Sequence, residues 1–194
     1  MKINFAKGAW DTSEIDYAYS YRFDATPVFV QKEDHVENKA YGTGLYEYDN
    51  ISVLTKEKYT AGTKITTRCS FEDVGAPLLL IADKLYTDER GVLRYGDYIE
   101  IVLYKNGMNV WRMYMKDKQV TWKNLVRVKY PVAEGEIHEL SAEITEDWLK
   151  ITAAGQETCL YVPELYPSFH LGIDACEGPN SFYGFEIEKI EEAK

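Results

Sequence analysis

The sequence predicts an all-β fold, a sandwich of two antiparallel sheets. Short runs rich in Val, Ile, Thr, Tyr, Phe and Trp recur along the chain, with turn signals about every eight to twelve residues. No segment sustains the 3.6-residue periodicity of an amphipathic helix. Repeats, heptads and low-complexity linkers are missing too, and 194 residues fit one undivided sandwich domain, 1–194.

In order, strands are expected near 16–23, 27–31, 51–54, 63–71, 77–84, 97–105, 108–116, 120–129, 137–145, 147–153, 157–162, 168–175 and 182–190. The stretch 32–49, KEDHVENKAYGTGLYEYD, is polar, aromatic-rich and glycine-containing, and is expected to be a long functional loop. Strand 63–71 alternates, with Ile65, Thr67, Cys69 and Phe71 on one face and Lys64, Thr66, Arg68 and Ser70 on the other. Leu78 to Ile81 is apolar on both sides and suits a central strand covered on both faces.

The segment 97–116 reads as a hairpin around Asn106-Gly107. A two-residue Asn106-Gly107 loop would set Ile101 opposite Arg112, mixing polar and apolar groups on both faces. A three-residue loop, Lys105 to Gly107, with Gly107 left-handed in a bulge, sets Glu100 opposite Arg112 and Ile101 opposite Trp111. A one-residue slip flips every side chain, so burial selects the second register. It predicts an apolar face of Ile99, Ile101, Leu103, Trp111 and Met113. The opposite face would carry Tyr98, Glu100, Tyr104, Arg112 and Tyr114.

The 32 acids outnumber the 22 Lys and Arg, for a net charge of −10, which works against nucleic acid and anionic membranes as partners. Cys69, Cys159 and Cys176 are odd in number and lack CxxC spacing. They read as small core residues, neither disulfide-bonded nor zinc-binding. The start, MKINFAKGAWDTSE, has no apolar signal region, so a cytoplasmic location is expected.

Residues 62–190 resemble the concanavalin A-like lectin/glucanase superfamily. The resemblance is carried by TKITTRCSFEDVGAPLLLIAD, YGDYIEIVLYKNGMNVWRMYM, HELSAEITEDWLKITAAGQETCLYV and FHLGIDACEGPNSFYGFEIEKI. It implies a jelly roll of two curved sheets whose concave face handles glycans, as a lectin-like module or as a glycoside hydrolase or lyase. Fold alone does not fix function. Glucanases of the superfamily carry Glu-x-Asp-x-(x)-Glu on one strand. Here Glu14-Ile15-Asp16 continues Tyr17-Ala18-Tyr19 without a third acid, so those roles are not carried over. Such sandwiches often hold a structural calcium, for which the acids at 33–37, 47–49 and 72–73 are available without EF-hand spacing. No other cofactor is expected.

Glu100 is the sole acid in the middle of its strand and the leading candidate for acid/base chemistry; its plainer role is an ion pair with Arg112. His170 and Asp174 alternate on one face of FHLGIDAC with Glu177 just beyond, a set suited to acid/base work or to strand-end solvation. Sugar contacts are expected from Arg68, Tyr98, Arg112 and Tyr114, with Trp10 and Trp122 as stacking platforms. Two functions follow. The first is a protein that binds or processes a small glycan or glycoside. The second is a non-catalytic accessory or oligomerising sandwich whose aromatic face is a protein interface, since Tyr, Trp, Met and Arg serve both.

Overall fold

The computed structural model describes residues 1–10, 12–163 and 165–190. In chain order the strands begin with β1 (Lys2–Asn4), β2 (Ile15–Tyr17), β3 (Val30–Gln31), β4 (Val36–Glu37), β5 (Ile51–Thr55) and β6 (Thr63–Phe71). They continue with β7 (Ala76–Ala82), β8 (Leu85–Thr87), β9 (Leu93–Tyr95), β10 (Tyr98–Tyr104), β11 (Gly107–Lys116) and β12 (Gln119–Lys129). The last are β13 (His138–Ile144), β14 (Trp148–Ala153), β15 (Gln156–Tyr161), β16 (His170–Cys176) and β17 (Asn180–Lys189). Among the described residues no helix is long and apolar enough to cross a membrane.

Two large antiparallel sheets result. One has eight strands in the order β15-β14-β13-β6-β17-β4-β3, with β1 also on β17; the other has seven, β12-β11-β10-β7-β16-β5-β2. Their facing sides bury Ile65, Cys69 and Phe71 against Leu79, Ile81, Ile99, Ile101, Leu171 and Ile173. The period-two pattern of 63–71 is therefore realised as expected, with Arg68 exposed on the outer side.

β7 is buried at every residue and lies between β10 and β16. Leu79 and Ile81 join the inter-sheet core. Leu78 and Leu80 enter a second apolar cluster with Ala18, Leu54, Tyr95, Tyr98 and Met113 on the other side of the same sheet. The strand is thus covered on both faces, as its unbroken apolar run requires.

The second cluster exists because the chain folds back over its own sheet. The expected strand 16–23 stops at Tyr17, and residues 18–29 cross the sheet's outer face as a strap. Arg94, fully buried on β9, holds the strap down. Its Nη1 donates to the carbonyls of Ser20 at 2.9 Å and Phe23 at 3.0 Å. Nε donates to Oδ2 of Asp88 at 3.0 Å, and the guanidinium lies 4.9 Å from the Tyr21 ring centroid. The β8–β9 hairpin that carries Arg94 was not foreseen, nor were β1 and the short β4 within the expected 32–49 loop.

The central hairpin takes neither register considered from sequence. Tyr104 pairs with Gly107, leaving a two-residue loop of Lys105 and Asn106. Glu100 then faces Trp111, Ile99 faces Arg112, and Ile101 faces Val110. The predicted Glu100–Arg112 pairing is corrected by one position, and with it the faces. Trp111 and Met113 share the outer face with Glu100, while Arg112 and Tyr114 fall on the opposite one. Gly107 explains the choice. Its φ is +127°, and a Cβ there would lie 2.0 Å from the Val128 carbonyl of β12, so glycine is needed inside the three-strand junction rather than in the loop. Met108 and Val110 then supply the inward positions expected of Met113 and Trp111.

The three cysteines are free thiols: Cys69 is buried, Cys176 half-buried, and Cys159 exposed on edge strand β15, contrary to its expected core position.

Candidate functional site

The strap covers only part of the seven-stranded sheet. Beside it, over β10, β11 and β12, the outer face stays open as a cavity of about 460 Å³, lined by Arg22, Glu100, Trp111, Met113, Trp122 and Glu177 among others. Alternation sets this lining. Glu100 and Val102 of β10, Trp111 and Met113 of β11, and Trp122 opposite Met113 on β12 all point outward. Trp122 is 62% exposed, a large apolar ring left facing solvent at the edge of the recess.

Glu100 sits at the floor, 4% exposed. Its Oε1 accepts from Nη1 of Arg22 at 3.0 Å, with the arginine partly open to solvent. Burial pushes the Glu100 carboxyl up to about 7; Arg22 opposes that rise and Glu177 adds to it. The group therefore exchanges its proton near neutrality, the property a general acid or base needs.

Asp174 is fully buried and lies across Leu78 from Val102 on the same face of the sheet. Burial raises its pKa well above the ordinary range, and the neighbouring Glu100 raises it further. Among the described residues its Oδ1 has no hydrogen-bond partner. Asp174 is thus a buried acid behind the cavity rather than in its lining. Glu177 takes the exposed place. Its φ of +48° belongs to the left-handed region, and Nδ2 of Asn180 reaches the carbonyls of Cys176, Glu177 and Gly178 at 3.1, 3.0 and 3.0 Å. Asn38 adds a bond to the Gly178 carbonyl at 2.9 Å. A strained backbone held by two buried asparagines aims this carboxyl at the recess.

The remaining sequence candidates lie elsewhere. His170 shares the face of Asp174 but stands in the row of Ala82, where its Nδ1 donates to the Thr55 carbonyl at 2.8 Å. Burial lowers its pKa. Tyr98 is buried under the strap and meets the Ser20 hydroxyl at 3.0 Å. Arg112 donates to the Pro163 carbonyl at 3.2 Å and lies over Tyr114 and Tyr166, on the side away from Glu100. Arg68 lies 5.8 Å from the Tyr183 ring centroid on the eight-stranded sheet. Trp10 stacks edge-on against Phe5 and donates to Gln31 Oε1 at 2.8 Å, at the margin of the main core. The structure thus brings together Glu100 and Trp122 in the cavity, with Asp174 behind, and separates His170, Arg68, Tyr98, Arg112, Tyr114 and Trp10 from it.

Arg22, Trp111 and Met113 are the lining residues that sequence reasoning missed or assigned elsewhere. Arg22 lies 78 residues from its partner, and no local pattern announces it. Among the described residues no three His, Cys, Asp or Glu side chains form a group that could hold a metal ion.

No protein-family model matches the chain, and no curated relative does. Solved structures match across nearly its whole length. A carbohydrate-binding module, CBM66, from Bacillus subtilis aligns with a TM-score of 0.63 at 9% identity, covering 91% of this chain and 96% of that one. A glycoside hydrolase family 16 endo-glucanase from Bacteroides ovatus aligns at 0.64 and 11%, covering 97% and 99%. Beta-agarase A from Zobellia galactanivorans aligns at 0.67 and 10%, covering 97% and 90%. These likenesses establish the fold, a concanavalin A-like jelly roll.

Proposed function

We propose that the chain binds a small glycan or glycoside in the cavity on the outer face of the seven-stranded sheet. One observation carries the reading: the recess combines an exposed indole, Trp122, with a buried carboxyl, Glu100, in about 460 Å³. A sugar ring offers an apolar face for stacking and hydroxyls for directional polar groups, and a concave site of about 300–1,000 Å³ buries enough of a small ligand to hold it. The fold is shared with a carbohydrate-binding module and with glycoside hydrolases, which adds support. A protein interface would favour a flat patch; the recess favours a small ligand.

Glycoside cleavage is a second reading, favoured by Glu100 alone. A carboxyl whose pKa is about 7 can give a proton to a glycosidic oxygen at neutral pH, and Glu177 supplies a second carboxyl to the same lining.

The test is calorimetric titration of mono- and disaccharides against the wild type, Trp122→Ala and Glu100→Gln. Trp122→Ala is expected to weaken binding about tenfold, the scale of a lost stacking contact. Glu100→Gln in a binding protein weakens affinity by about 1–2 kcal/mol, whereas a catalytic acid loses orders of magnitude in rate with affinity kept. Saccharide binding indifferent to both variants, or none at all, overturns the proposal.

A further inference from the structure

A second recess, of about 630 Å³, adjoins the first and shares Arg22, Tyr46, Cys176 and Glu177 with it. Its wall is aromatic: Phe23 from the strap, and Tyr41, Tyr46 and Tyr48 from the 39–49 turn. That turn is well built. The Tyr41 N–H donates to the Glu47 carbonyl at 2.9 Å, and the Asp49 N–H to the Lys39 carbonyl at 2.8 Å. The Gly44 N–H donates to Glu47 Oε2 at 2.8 Å, and Ala40 bridges Tyr48. It nonetheless holds Tyr41 68% and Tyr46 62% exposed. A turn this well bonded does not need to leave two phenol rings in water, and rings displayed beside a recess are surface for a ligand.

The charges in this lobe have one dominant sign. Asp49 and Glu177 line it with Asp24, which is paired with Arg90 at 3.3 Å, against Arg22, whose guanidinium is paired with Glu100 and lies 5.1 Å from the Phe23 ring centroid. Aromatic faces and carboxylates both attract a cation, and both repel a carboxylate or sulfate.

The geometry points to a two-lobed site, in which Tyr41, Tyr46, Tyr48 and Asp49 take an ammonium-bearing group. The remainder of the ligand lies over Glu100 and Trp122. The inference rests on the glycan reading for the first lobe only. Combined with it, the preferred ligand is an amino-substituted oligosaccharide rather than a uronic or sulfated one. Arg22 and Glu177 stand where the two lobes meet, so the ligand crosses from one to the other above the Arg22–Glu100 pair.

The lobe is tested without any sugar by titrating tetramethylammonium into the full chain, followed by NMR shift changes. Saturable binding is expected, weakened about tenfold in Tyr41→Ala and in Asp49→Asn and unchanged in Trp122→Ala. Tyr41 is exposed, so its removal leaves the fold intact. A second arm compares cellobiose with the glucosamine disaccharide of the same linkage at pH 7, where an amine with a pKa of about 8 is mostly charged. The amino sugar is expected to bind about tenfold more tightly, with a preference that fades in high salt and in Asp49→Asn. Absence of tetramethylammonium binding, or binding indifferent to both lobe variants, overturns the second lobe even if cellobiose binds. If tetramethylammonium binds and neither disaccharide does, the aromatic lobe stands and the glycan reading of the first lobe falls.

Discussion

Arg22 Nη1 lies 3.0 Å from Glu100 Oε1, tying the strap that crosses the sheet to the floor of the cavity beside it. The bond joins a loop of the N-terminal segment to the middle of β10, so the position of the strap and the protonation of the floor are one linked property.

Arg22→Leu is therefore expected to cost about 3 kcal/mol of stability at pH 8, the scale of leaving a buried charge without its partner. At pH 5 Glu100 is neutral in both proteins and most of that cost disappears. Chemical denaturation at the two pH values measures it; an equal cost at both would show the ion pair to be inconsequential.

The pH dependence of Glu100 itself has a definite sign. Its folded pKa, about 7, lies above the ordinary 4.5, so the folded chain binds the proton more tightly than the unfolded one. The associated stability is fully present below about pH 4.5 and is lost as pH rises through about 7. That difference corresponds to about 3 kcal/mol. Glu100→Gln removes the titration, so its stability relative to wild type should improve by about that amount between pH 4 and pH 8. A constant difference across the range would refute the assignment.

Arg94 should prove the most costly surface-distant residue to change. Arg94→Met leaves the carboxylate of Asp88, 3% exposed, with only the longer 3.8 Å ion contact to Arg90 and frees the carbonyls of Ser20 and Phe23. A loss of about 3–5 kcal/mol is expected, with new proteolytic cleavage inside 20–27. Cleavage elsewhere first would show that the strap has another anchor.

Gly107→Ala should destabilise by more than about 1 kcal/mol, because the new methyl would meet the Val128 carbonyl and the backbone is left-handed. A thermal midpoint unchanged from wild type would mean the hairpin can shift register.

A thiol reagent should modify Cys159 alone at once in the folded chain. Cys69, buried and with its thiol pushed up to about 12, should react only on unfolding. Cys176 lines the cavity and has its thiol raised by burial, so it should react slowly, and more slowly still with ligand bound. Rapid labelling of two thiols would contradict the burial of one of them.

The two sheets were legible because alternation and the Leu78–Ile81 run are local signals. Glu100 was legible for the same reason: a lone acid in an apolar strand must be accounted for. Its partner was not. Pairing with Arg112 followed from putting Gly107 in the loop, whereas the approach of β12 pulls that glycine into the strand, a contact no hairpin read in isolation can anticipate. Arg22 was hidden because the strap looks like a strand in sequence; DYAYSYRF alternates as a strand would, but its rings and Arg22 are used to cover a sheet rather than extend one. Trp122 could be picked out because it lies near the start of its strand, ahead of the apolar Leu125, Val126 and Val128 that pack against the core.

The order of strands also fixes when the molecule can become itself during synthesis. β16 sits between β7 and β5, and β17 between β6 and β4, so each sheet has in its interior a strand made well after its neighbours. At about 5–20 residues per second, on the order of ten seconds separate the emergence of β7 from that of β16. Through that interval Leu78 to Ile81 waits with one side unpaired. The nascent chain must hold its most apolar strand without a neighbour until β16 has left the ribosome, and any truncation before His170 makes that state permanent.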